Sequence, residues 1–154
     1  MAVARLFKRW RIVLACGATV CVLLSIALFG AWKYRQSKKL QALLGAAKAA
    51  EEAGNWAAAE SALRRYAHEH GDTADVCRRI GQAIERGATT EQDHLRALTF
   101  YGKALSLDPL DDSLRLQFAE LQVEDNPLDA LRQADTVLQR APENPVAWRV
   151  KGLA

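Results

Sequence analysis

The side chains able to do chemistry in this 154-residue chain are few and scattered. His68-Glu69-His70 puts two imidazoles and a carboxylate in three consecutive positions, the residue types of a zinc site or an acid–base pair. On a helix, residues i and i+2 point to different sides, and no HExxH pattern or carboxylate–His–Cys set accompanies them. The tripeptide therefore reads as a solvated helix end. Cys77 is the one cysteine outside the apolar N-terminal stretch that holds Cys16 and Cys21. A single cysteine excludes an internal disulfide in the soluble part, the absence of any CxxC leaves no metal-ligand spacing, and cysteine usage leaves the redox compartment open. Asp108, Asp111 and Asp112 crowd one turn, where capping and solvation account for them without a metal ion. Gly81, Gly87 and Gly102 are isolated and form no phosphate-cradling loop. The expectation is a chain that is not an enzyme, with no catalytic residue, no metal ligand and no cofactor.

The elements that would position any site divide sharply by charge. Residues 1–39 hold eight Lys/Arg and no Asp or Glu; residues 40–154 hold the other thirteen against all eighteen acidic residues. The basic excess is thus confined to one end, which argues against a nucleic-acid surface. It brackets a membrane-type segment instead: residues 12–32, IVLACGATVCVLLSIALFGAW, are 21 positions without a charge. As a helix this run is roughly 31 Å long, matching the ~30 Å hydrocarbon core of a bilayer. Arg5, Lys8, Arg9 and Arg11 precede it, Lys33, Arg35, Lys38 and Lys39 follow, and Trp10, Trp32 and Tyr34 stand at the membrane interface. The run exceeds a secretory h-region and lacks an Ala-x-Ala cleavage site. Val13-Leu14-Ala15-Cys16 resembles a lipoprotein box, but too few apolar residues separate it from Arg11. A retained single-pass anchor is expected, with a basic tail over 1–11, the span over 12–32 and a basic juxtamembrane segment over 33–39. The short basic tail places the N-terminus in the cytoplasm and the remainder on the extracytoplasmic side, periplasmic in a bacterium. Gly17 and Cys21 form a small-x-x-x-small pair, read as lipid-facing filler rather than a helix-pairing motif.

Beyond residue 40 the apolar residues recur at helical spacing: Ala59, Ala62, Leu63 and Tyr66; Leu95, Leu98, Tyr101 and Leu105; Leu131, Ala134 and Leu138. Start signals separate these segments, with Asp72 or Thr73, Asp111 or Asp112, Asn126-Pro127 and Asn144-Pro145. No β-hairpin signal competes, so the fold class is all-α. The pattern also repeats. Ala97-Leu-Thr-Phe-Tyr101-Gly-Lys-Ala104-Leu-Ser-Leu-Asp-Pro109 resembles the second helix and closing turn of a tetratricopeptide repeat. With Pro109 as position 32 of a unit of about 34 residues, Ala97, Tyr101 and Ala104 fall at positions 20, 24 and 27. Pro142 lies 33 residues on, with Ala130, Ala134 and Val137 in the same places. Upstream, Gly54-Asn55-Trp56 resembles the inter-helix turn, followed by Ala59, Leu63 and Tyr66. Ile80-Gly81 resembles the Leu-Gly pair of an opening helix, and Trp148 with Gly152 the Trp and Gly of a fourth. Small residues at positions 8 and 20 let paired helices approach closely. Departures are Ala46, Ala47 and Ala50 in the first unit, about four extra residues around 87–91, and one residue fewer near Asp125-Asn126-Pro127.

The resemblance implies an α-solenoid of antiparallel helix pairs, about three and a half repeats, at 40–73, 74–111, 112–144 and a partial 145–154, preceded by the single transmembrane helix. Between Gly30 and Gly45 nothing breaks a helix, so the span is expected to run on into the first repeat, to about Ala53. The chain stops early in an opening helix, and it is expected to be a truncated product or the front part of a longer protein. In this family the first helix of each unit lines a concave binding surface. The corresponding positions are Gln41, Leu44 and Lys48; Asp75, Arg78, Gln82, Glu85 and Arg86; Ser113, Leu116 and Glu120; and Arg149. The partner-binding groove is therefore assigned to Lys48, Arg78, Gln82, Arg86, Glu120 and Arg149, with Arg78, Arg79 and Arg86 offering guanidinium groups to a carboxylate. An ordinary charged helix face would show the same residues. Leu44, Arg79 and Ser113 occupy the places of the family's chaperone-tail clamp, so that ligand is not expected. Cys77 takes position 4, a large apolar site, and reads as buried filler; His94 replaces an aromatic at the inter-helix turn. The expected function is a membrane-tethered scaffold that binds a protein or peptide, with the lipid bilayer as its second partner and no nucleic acid or small-molecule substrate. The rival is the localising front of an enzyme whose catalytic domain lies beyond residue 154; reading the gene past Ala154 separates the two.

Overall fold

The computed structural model describes residues 28–154, and all the regular structure among them is helical. Trp10, Cys16, Cys21, the basic tail and residues 12–27 of the apolar run lie outside the described residues. Among the described residues no helix is long and apolar enough to cross a membrane. The chain divides into two compact units between Gln41 and Ala42. In the first, residues 28–41 are helical and expose Leu28, Phe29, Trp32 and Tyr34.

In the second unit helix α1 covers residues 42–52. There α2 (Trp56–His70), α3 (Ala74–Gly87), α4 (Glu91–Leu107), α5 (Asp112–Gln122), α6 (Pro127–Leu138) and α7 (Pro145–Leu153) follow. Each begins at a side-chain cap: Asn55, Thr73, Thr90, Asp111, Asn126 and Asn144 accept hydrogen bonds from backbone N–H groups of the first turn. Pro127 and Pro145 sit inside the first turn, where a missing N–H costs nothing. The turn after α2 needs Gly71, whose φ of 94° is open to glycine at no steric cost. The extra residues near 87–91 extend α4, which begins six residues before Ala97, whereas α2 and α6 begin three before Ala59 and Ala130.

Successive helices from α2 to α7 pack on one another, and α5 also packs on α7. Helices α3 and α4 run antiparallel, as do α5 and α6. Lys103 near the end of α4 reaches Asp72, before the start of α3, at 2.6 Å, and Arg140 after α6 reaches Asp112 at the start of α5 at 2.8 Å. Small residues make the close approach possible: Ala47, Ala59, Ala97, Ala119 and Ala130 are fully buried, and Gly81 is buried with them. A Cβ on Gly81 would lie 2.9 Å from the Tyr101 ring. Tyr101, Leu63, Ile80, Val76, Cys77 and Leu114 belong to one apolar cluster; Leu116, Ala119, Ala130, Ala134, Val137, Ala147 and Val150 form a second. Leu95, expected on the buried stripe, is exposed; the buried face of α4 is Ala97, Tyr101, Ala104 and Leu105.

Candidate protein-binding face

The residues expected to meet a partner lie on alternate helices, and helical spacing decides which of them can share a face. On α3, Asp75, Arg78, Gln82 and Arg86 recur three or four residues apart, as do Ser113, Gln117 and Glu120 on α5. Their opposite sides carry Val76, Ile80 and Ile84, and Leu114, into the core. Polar side chains then link one alternate helix to the next. Arg79 of α3 makes a bidentate pair with Glu51 of α1, at 3.1 and 3.0 Å. The Gln82 amide of α3 lies 3.5 Å from Gln117 of α5, and Arg149 of α7 pairs with Glu120 of α5. These links join residues 28, 35 and 29 apart in sequence. On the other set of helices, Arg96 of α4 reaches Glu60 of α2 at 2.5 Å across 36 residues.

The cations assigned to carboxylate capture are differently placed. Arg78 sits 2.6 Å from Asp75 and 3.9 Å from Asp111, so two acidic side chains already face it. Arg86, exposed near the end of α3, lays its guanidinium over the Trp56 ring at 5.0 Å, a contact made through the guanidinium plane and the ring face. Lys48 is exposed and 3.8 Å from Glu52. Exposed ion pairs of this kind contribute only about 0–1 kcal/mol each, which makes them exchangeable for a partner's groups. Glu85 accepts the Tyr101 hydroxyl at 2.5 Å. Burial first, and the Glu85 carboxylate second, hold the Tyr101 phenol far above its ordinary range, so it stays a neutral donor. Two positions depart from the expected groove. Leu116 is buried in the second apolar cluster among residues of α6 and α7, and Leu44 is half-buried against the first. Glu51 and Gln117 were missed as face residues; their three- and four-residue spacing from Lys48 and from Ser113 is the signal that places them.

The remaining chemistry-bearing residues are apart from this face. His68, Glu69 and His70 are exposed at the end of α2, with His70 stacked on Tyr66 at 5.1 Å. Among the described residues no group of three or more His, Cys, Asp or Glu is placed to hold a metal ion. Cys77 is fully buried, and burial followed by the nearby Asp72 carboxylate pushes its thiol up, away from the nucleophilic thiolate. His94 is half-buried and donates from Nε2 to the Leu121 carbonyl at 3.2 Å, tying α4 to α5. Trp32 and Tyr34 are exposed in the first unit, where Phe29 and Trp32 ring centroids are 5.9 Å apart. Compared with known proteins, no family model matches the chain, and no curated protein matches it either.

Proposed function

We propose that this chain is a membrane-tethered scaffold of tetratricopeptide-type helix pairs, forming an α-solenoid that binds a partner protein or peptide across the face of α1, α3, α5 and α7. It is not an enzyme on this reading. The observation that carries it is the stepwise linkage of alternate helices, Glu51–Arg79, Gln82–Gln117 and Glu120–Arg149, at intervals near one repeat length. Such a ladder leaves a continuous polar strip at low ordering cost to a ligand, since the helices that bear it are already packed. The tether rests on the charge-free run over 12–32 and its two basic flanks. Membrane attachment beside a rigid binding strip suits recruitment or assembly of an envelope complex.

Arg86 and Gln82 are the groove residues to test, because Arg78 is already occupied by two carboxylates. Arg86→Glu combined with Gln82→Ala is expected to cut partner recovery by more than tenfold when the chain is captured from detergent extract. Thermal stability should stay within a few degrees, because both side chains are partly solvated. Recovery of the same partner at the same yield would remove the assigned face.

A further inference from the structure

The cations that follow the apolar run are arranged in a way that bears on which membrane the chain occupies. Lys33, Arg35, Lys38 and Lys39 are all exposed on the helix over residues 28–41. The first carboxylate of the whole chain is Glu51, so no acidic side chain within this unit neutralises them. At about 100° per residue Arg35, Lys38 and Lys39 fall within an arc of about 100°, and Lys33 lies on the opposite side, about 120–140° from either edge of that arc. A helix lying along a membrane surface gathers its cations on one side and its apolar residues on the other. Lys33 on the far side makes a collar with those three, which suits a helix that passes through the headgroup layer and meets headgroups on both sides. The aromatics share the same two turns: Trp32 and Tyr34 are exposed, and the Lys38 ammonium rests over the Tyr34 ring at 4.9 Å. That contact keeps an amphipathic ring and a charge at one depth, as an interfacial position requires.

We propose that this collar binds the phosphates of anionic lipids and gives the chain a preference for negatively charged bilayers over zwitterionic ones. The inference rests on the membrane tether proposed above. Arg35 supplies a fork matched to a phosphate, and the three lysines supply ammonium charges around it. Residues 40–154 carry an acidic excess, eighteen Asp/Glu against thirteen Lys/Arg. An anionic surface therefore repels them, and the attraction is confined to the cations flanking the apolar run, the collar after it and Arg5, Lys8, Arg9 and Arg11 before it.

The test uses the full chain reconstituted into phosphatidylcholine vesicles carrying trace spin-labelled phosphatidylglycerol or phosphatidylcholine. The fraction of each label immobilised at the protein is read by electron spin resonance. Phosphatidylglycerol should associate several-fold more strongly than phosphatidylcholine, and the ratio should fall toward one as salt rises to ~1 M. Replacing Lys33, Arg35, Lys38 and Lys39 together by Gln should bring the ratio about halfway to one at low salt, the remainder coming from Arg5, Lys8, Arg9 and Arg11 on the other side of the run. Equal association of the two lipids in inserted protein overturns the collar but leaves the tether standing. A preference left undiminished by the four replacements moves the property to another basic segment and likewise overturns it. A chain that stays in the aqueous fraction without detergent overturns the tether, and the collar with it.

Discussion

Gly81 and Tyr101 meet so closely that neither residue type is free to change alone. The Tyr101 ring is fully buried and its hydroxyl is held by Glu85, so the ring cannot swing away from an added methyl 2.9 Å from its edge. Replacing a helical glycine by alanine gains about 1 kcal/mol of helix propensity in an open site, whereas overpacking a filled core costs about 1–3 kcal/mol. The clash wins here. Gly81→Ala is expected to lower stability by about 1 kcal/mol in urea titrations, net of the propensity gain. With Tyr101→Leu as background the same substitution should become neutral or favourable, and a double-mutant cycle measures that coupling. Equal effects in both backgrounds would show that the ring is not what excludes the methyl group.

The helices owe their boundaries to single polar residues, and α4 shows how a cap couples to pH. Thr90 accepts from the Asp93 N–H while Asp93 accepts from the Thr90 hydroxyl at 2.8 Å and from the Thr89 N–H at 3.3 Å, a reciprocal cap. Those bonds, the Thr90 hydroxyl first, hold the Asp93 carboxyl below the usual aspartate range. Since the folded value is the lower one, the contribution is present above the unfolded carboxylate range and is lost as pH falls through the folded value. Thr90→Ala should cost about 1 kcal/mol near neutral pH. Asp93→Asn should be less stable than the parent at pH 7, and the difference should close as the pH falls below about 4, followed by circular dichroism. A difference that persists unchanged into acid would mean that the charge of Asp93 plays no part in the cap.

Over the whole helical unit, the two apolar clusters are unequal in side-chain size. The first is built around Tyr101, Leu63, Ile80 and Leu114; the second holds Leu116, Val137 and Val150 among four alanines. Larger buried side chains remove more apolar surface from water, at roughly 25 cal/mol per Å². In an array whose elements contact mainly their neighbours, stability is close to a local sum. The α5–α7 end is therefore expected to open at lower free energy than α2–α4. Native-state hydrogen exchange should show amides of α6 and α7 exchanging at least tenfold faster than those of α3 and α4. Uniform protection from α2 to α7 would show that α5, which gives Leu114 to one cluster and Leu116 to the other, binds both into one cooperative unit.

Helicity, the caps at Asn126 and Asn144, and the small residues of the helix contacts could all be read from the chain, while two further caps were narrowed to Asp72 or Thr73 and Asp111 or Asp112, of which Thr73 and Asp111 serve. Each depends on local spacing or on one residue's own hydrogen-bonding capacity. The charge split and the apolar run over 12–32 were equally legible, because composition alone carries them. Which arginine stays available was not. Arg78, Arg79 and Arg86 differ little along the chain, yet their surroundings come from α1, α2 and the turn before α5: Glu51 engages one, Asp111 faces another, and Trp56 lies under the third. Leu116 likewise reads as a face residue until α6 and α7 close over it. A side chain's neighbours across 28 to 36 residues of sequence are fixed by how helices stack, and no local pattern encodes that.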